Sequence, residues 1–136
     1  MAALAMPAPK SDTAAIDELL VRFQEALNHQ RWESLDTIFT GDVAVNWFDT
    51  QHRHGRNAVV RQFRDYLQRK PRARYVTDGY RIHVSPDHAE ALWHPRVYRL
   101  AADGTARGPA RTLGAFTARL VRTDAGWRIR HLDVPW

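Results

Sequence analysis

The sequence contains no cysteine, which excludes a disulfide framework, a thiolate metal site and a cysteine nucleophile. Lysine is almost as scarce: of the 20 basic residues, all but Lys10 and Lys70 are arginine. No apolar run approaches the ~18 residues of a membrane-spanning helix, so no membrane contact is expected. A Gly-rich phosphate loop, a nucleophile elbow and a dinucleotide fingerprint are also missing, which argues against the chemistries they mark. The opening MAALAMPAPK has neither a basic start nor a long apolar core, so it does not read as a secretory signal. The expectation is a flexible leader over residues 1–12 and a cytoplasmic protein.

What is present fits one folded domain over residues 13–136, since 44% of the chain is hydrophobic and 26% charged. The net charge is +5, and its densest stretch runs from Arg53 to Arg74. That stretch reads as the solvated face of an amphipathic helix, so nucleic acid is not an expected partner. His52 and His54 have a spacing that could ligate a metal, but no third ligand accompanies them. Neither a metal nor any other cofactor is expected.

The apolar spacing of Ile16, Leu19, Leu20, Phe23 and Leu27 predicts a helix beginning near Thr13, capped by Ser11 or Asp12. A shorter helix carrying Trp32, Leu35, Ile38 and Phe39 should stop at Gly41. Val43–Phe48 reads as a strand, Asp49–Gly55 as a polar loop, and Arg56–Gln68 as a third helix closed by Pro71. Four strands should follow, over residues 75–84, 89–100, 111–122 and 127–134, separated by turns rich in Pro, Gly and Asp. Helices early and strands late indicate an α+β domain with an antiparallel sheet wrapped against the helices.

The stretch ALNHQRWESLDTIFTGDVAVNW, the closing strand Gly126-Trp127-Arg128-Ile129-Arg130-His131 and the element order together resemble the SnoaL-like polyketide cyclase family. That family lies within the nuclear-transport-factor-like, ketosteroid-isomerase-like superfamily. The resemblance implies a cone-shaped α+β barrel, three helices against a curved, mostly antiparallel sheet, usually as a homodimer. It also implies a cofactor-independent enzyme that cyclises, isomerises or dehydrates a small, apolar, polyketide-like molecule, as in antibiotic biosynthesis. Most family catalysts are missing at the matching positions. The isomerase general base falls near Trp47, its tyrosine near Phe23 and its aspartic acid near Phe116. The His–Asp dyad of dehydratase-like members falls on Tyr75 and Asn28. What matches is the cyclase pattern His-x-Asp-x-Pro, present as His131-Leu132-Asp133-Val134-Pro135, although Phe116 stands where the cyclase has its partner histidine.

Strand alternation adds a reading of its own. If Trp127 and Ile129 face the core, His131 and Asp133 share that face, and Asp133 becomes the candidate acid/base with His131 as partner. On the strand 89–100, Leu92, His94, Arg96, Tyr98 and Leu100 share one face, which the resemblance points inward. There His94 and Arg96 would polarise the substrate, Arg96 would lie beside Asp133, and Tyr98 would bind substrate. Trp47, Phe63, Phe116 and Trp136, with Phe23 and Tyr75, would line an aromatic cavity. The same spacings serve a solid core, and an outward-facing Trp93/Val97 surface would instead suit pairing between two copies. Asp49 is a further acid/base candidate near the cone mouth. The alternative function is a non-catalytic ligand-binding or dimerisation domain.

Overall fold

The computed structural model describes residues 10–47 and 52–136. Phe48 and Asp49 lie outside the described residues, as does most of the expected leader. Helix α1 (Asp12–Asn28) is capped by Ser11, whose hydroxyl accepts from the Ala14 backbone N–H. Asp12 is engaged elsewhere, accepting from the Arg122 guanidinium and from Trp127 Nε1. The face of α1 bearing Ile16, Leu19, Leu20, Phe23 and Leu27 is buried, as its spacing predicts.

The expected second helix is a shorter 3-10 segment (Trp32–Thr37), and β1 (Phe39–Trp47) begins where that helix was expected to end. Phe39 is therefore a core residue at a strand start, and Gly41 lies within the strand rather than stopping a helix. The polar loop is also partly a strand: β2 (His52–His54) pairs antiparallel with β1. Helix α2 (Arg56–Arg69) buries Val59 and Phe63.

Each of the first three later strands predicted from the sequence is interrupted. The first divides into β3 (Ala73–Val76) and β4 (Arg81–Val84), the second into β5 (His88–Trp93) and β6 (Arg96–Arg99), and the third into β7 (Arg111–Thr112) and β8 (Phe116–Thr123). β9 (Gly126–Val134) completes the chain's strands. The pieces separate into a sheet ordered β2-β1-β9-β8-β5-β4 and a smaller one ordered β3-β6-β7. Pairing is antiparallel except between β1 and β9. Pro95 is the physical reason for the second break, since a proline withholds a ladder donor. Gly114 marks the third: a Cβ there would lie 3.1 Å from Pro135 Cβ, so the chain approaches too closely for a larger residue to fit without movement.

The helices and the inner face of the large sheet enclose one hydrophobic core. Phe63 sits at its centre, with ring centroids 5.8 Å from Phe23, 4.9 Å from Trp47 and 5.8 Å from Trp136. Trp93 and Phe116 stack at 5.4 Å. Phe23, Phe63 and Phe116 are each at most 2% exposed. Apart from Trp136, which is only half-buried, these rings pack against one another as a solid interior, the second of the two roles their spacing allows. No described helix is long and apolar enough to cross a membrane.

Candidate functional site

A β-bulge decides where the polar residues of β9 point. Arg119 pairs with His131 while Leu120 pairs with Ile129, leaving Arg130 as an extra residue opposite β8. Before the bulge Trp127 and Ile129 are buried; after it Leu132 and Val134 are. His131 and Asp133 therefore share a face, as alternation predicts, but it is the face turned away from the helices. Simple alternation across the strand misplaced them because it counted through the extra residue.

On that outer face Asp133 is the centre of a hydrogen-bonded cluster. Thr117 Oγ1 donates to Asp133 Oδ2 at 2.8 Å, and Asn46 Nδ2 donates to Oδ1 at 3.1 Å. His131 Nε2 is 3.1 Å from the same Oδ1. Because an ionised carboxylate only accepts, Nε2 carries the proton in that contact. His52 Nδ1 in turn bonds to Asn46 Oδ1. Partial burial pushes the Asp133 carboxyl up, but the bonds from Thr117, Asn46 and His131 outweigh it and hold it below its ordinary value of 3.8. The cluster borders an open groove of about 610 Å³, to which Arg81, His83 and Glu90 also contribute.

Such a carboxylate stays ionised at neutral pH, so it orients His131 better than it delivers a proton itself. The lowered pKa also links to stability. A depressed carboxylate contributes stability above its unfolded pKa and loses it as pH falls through the folded value. Asp133→Asn should cost less than about 1 kcal/mol at pH 7, the side chain being half exposed. Urea titrations of both proteins should show that gap closing as pH falls below about 4.

The remaining expected residues are dispersed. Arg96 donates to Asp78 Oδ1 at 2.8 Å and approaches the Tyr98 hydroxyl at 3.4 Å. Asp133 is bound by its own cluster, so among the described residues the expected Arg96–Asp133 contact is not formed. His94 is exposed between strands, and Trp93 rather than Leu92 faces the core. The break at Pro95 uncouples the two halves of the predicted strand, so the face shared by Leu92, His94 and Arg96 does not persist through it. On β6 it is Val97 and Arg99, not Arg96 and Tyr98, that border a cleft. At the positions of the family's dyad, Asn28 and Tyr75 exchange two 2.8 Å amide bonds between the Asn28 side chain and the Tyr75 backbone. That pair clamps the end of α1 to β3. Burial, with the Tyr66 phenol nearby, pushes the Tyr75 hydroxyl up to about 12, so it remains a neutral phenol.

The cleft beside Val97 is the mouth of the cone. It encloses about 430 Å³ over a floor of Tyr66, Tyr75, Leu113 and Trp136. Trp136 stacks on Tyr66 at 4.7 Å with an interplanar angle of 9° and touches Tyr75 at 5.5 Å. Behind it stands Trp47, whose buried Nε1 has no acceptor among the described residues. No carboxylate side chain or imidazole lies on the cleft wall among the described residues. Tyr66 was legible in the sequence only as part of the apolar side of α2. Its meeting with Trp136 depends on the tertiary fold.

The SnoaL-like domain family profile matches residues 10–133. Solved structures with the same fold include a Mycobacterium tuberculosis protein of unknown function, 26% identical, covering 90% of this chain and 69% of that one with a TM-score of 0.72. A nuclear-transport-factor-like protein with a cystatin-like fold from Novosphingobium aromaticivorans is 23% identical, covering 90% and 79%, with a TM-score of 0.73. A Streptomyces avermitilis protein of the same superfamily, assigned provisionally as a dehydratase, is 17% identical, covering 92% and 96%, with a TM-score of 0.75. Among curated proteins none matches the sequence.

Proposed function

Because the chain belongs to the SnoaL-like domain family, we propose that it binds a small, planar, largely apolar molecule at the mouth of its cone. The observation that carries this reading is the Tyr66–Trp136 stack, which forms one wall of a ligand-sized cleft. A flat ring can extend such a stack, and each well-placed aromatic contact adds about 0.5–1.5 kcal/mol beyond area burial. The unpaired Trp47 Nε1 offers a donor close by if the ligand shifts Trp136. Among the described residues no carboxylate side chain or imidazole lies on the cleft wall, so this reading is one of binding. Trp136→Ala should weaken 2-naphthamide binding, followed by calorimetry, by about three- to tenfold. Equal binding by both proteins, or none by either, would remove the reading.

The His131–Asp133 pair supports a second reading, that of a cofactor-independent cyclase, isomerase or dehydratase. Here the outer groove would hold a polyketide-like substrate, His131 would move the proton, and Asp133 would orient its ring. A homodimer is the competing use of that face. Arg81, Arg119, Glu90 and Asp133 put both charge signs there, which suits the self-complementary pairing of two identical surfaces. The uses exclude one another if the dimer buries His131. Sedimentation of wild type and a Thr117→Arg variant separates them: a dimer lost in the variant favours pairing, whereas an unchanged monomer leaves the groove open to substrate.

A further inference from the structure

The positive side chains of this protein fall into two groups. Among the described residues Lys10 and six arginines have carboxylate partners, the arginine pairs being Arg56 with Asp36, Arg64 with Asp65, Arg96 with Asp78, Arg119 with Glu90, Arg122 with Asp12 and Arg130 with Asp42, and the other cations have none. At the cone mouth five cations converge on one cleft: Lys70, Arg72, Arg99, Arg107 and Arg111. Among the described residues none of these five has a carboxylate partner, and no Asp or Glu side chain lines the cleft.

Their convergence is built by the fold. Lys70 and Arg72 come from the connection between α2 and β3, Arg99 from β6, and Arg111 from β7. Arg111 lies across the strand pair from Val97. The segment carrying Arg107 is drawn in by a 2.7 Å bond from its backbone N–H to the Arg99 carbonyl. The Lys70 ammonium also stands over the Tyr66 ring, 5.0 Å from its centre. The guanidinium groups are solvent-exposed and so cost little to hydrate. Their mutual repulsion is nevertheless uncompensated locally, and a cleft of one sign over an apolar floor focuses its field on whatever enters.

We infer that the ligand of the cone mouth is a planar molecule bearing an anionic group, a carboxylate or an enolate-like oxygen, with its ring on the Tyr66–Trp136 stack and its charge among these cations. The inference rests on the cone-mouth reading above and adds the charge of the ligand. Arginine forks suit a carboxylate in particular, since two parallel N–H groups match its two oxygens.

The test uses the full chain and two probes that share a ring, 2-naphthoate and the neutral 2-naphthamide, titrated by calorimetry at low salt. Naphthoate should bind at least about tenfold more tightly. That advantage should shrink towards unity near 1 M salt, where the screening length falls to about 3 Å. In an Arg99→Gln/Arg111→Gln double variant the preference should drop to within about twofold, through weaker binding of naphthoate. Equal binding of both probes by the wild type overturns the inference but leaves the cone-mouth reading standing. A preference that survives the double substitution also overturns it. No binding of either probe removes both.

Discussion

Deletion of Arg128 should cost the domain several kcal/mol, whereas deletion of Arg130 should cost less than about 2 kcal/mol. Arg130 is the extra residue of the bulge, and its side chain makes an exposed ion pair, 3.4 Å from Asp42. Its neighbours Ile129 and His131 already lie opposite consecutive residues of β8, Leu120 and Arg119. Removing it closes the bulge into a regular strand in which Trp127, Ile129, Leu132 and Val134 still face the core. Arg128 is an ordinary step of the ladder, opposite Val121. Without it Trp127 and Ile129 become consecutive, and one of them must turn outward. A large apolar side chain lost from the core forfeits about 1.5–3 kcal/mol, and an outward Trp127 also loses its bond to Asp12. Such a loss is a large share of the 5–15 kcal/mol typical of a domain. Urea denaturation followed by circular dichroism measures both variants. An Arg130 deletion as damaging as the Arg128 deletion would mean that the bulge does not set the facing of β9.

Phe63→Ala should be the most damaging simple truncation, at about 3–5 kcal/mol. Its ring is fully buried and contacts Phe23, Phe39, Trp47 and Trp136. Those neighbours come from α1, β1 and the residues beyond β9, so no single element can move in to fill the space. The comparison with Trp136→Ala is informative because Trp136 is only half-buried, at the rim of the same cluster. Its removal should cost distinctly less stability while weakening ligand binding more. A loss below about 1 kcal/mol for Phe63→Ala would show that the cone has an open interior instead of a packed one.

The pattern of Ile16, Leu19, Leu20, Phe23 and Leu27 was sufficient to place α1, because helix periodicity is local and survives any tertiary arrangement. Phe116, Ala118 and Leu120, two residues apart on β8, are buried together by the same local logic of alternation. The candidate site was harder to read because it depends on interruptions of periodicity. The bulge at Arg130 leaves no compositional mark: arginine is ordinary in an exposed strand position, and nothing in the local sequence says that it is unpaired. Pro95 was a visible break, yet alternation was carried through it from Leu92 to Leu100. The cone mouth joins Tyr66, Val97, Arg107 and Trp136 across long sequence separations. Only the pairing of β3, β6 and β7 brings them to one cleft.

The proposed ligand enters the cone mouth and not the groove of the open sheet face. Proton–nitrogen correlation spectra separate the two, with Trp indole and His imidazole signals followed during a 2-naphthoate titration. Binding at the mouth should shift the indole N–H signals of Trp136 and Trp47 in a saturable way. The signals of Trp32 and Trp127, on other parts of the surface and core, should stay fixed, as should the imidazoles of His83 and His131. Saturable shifts at His131 and His83 with Trp136 unmoved would place the ligand on the outer face and contradict the account.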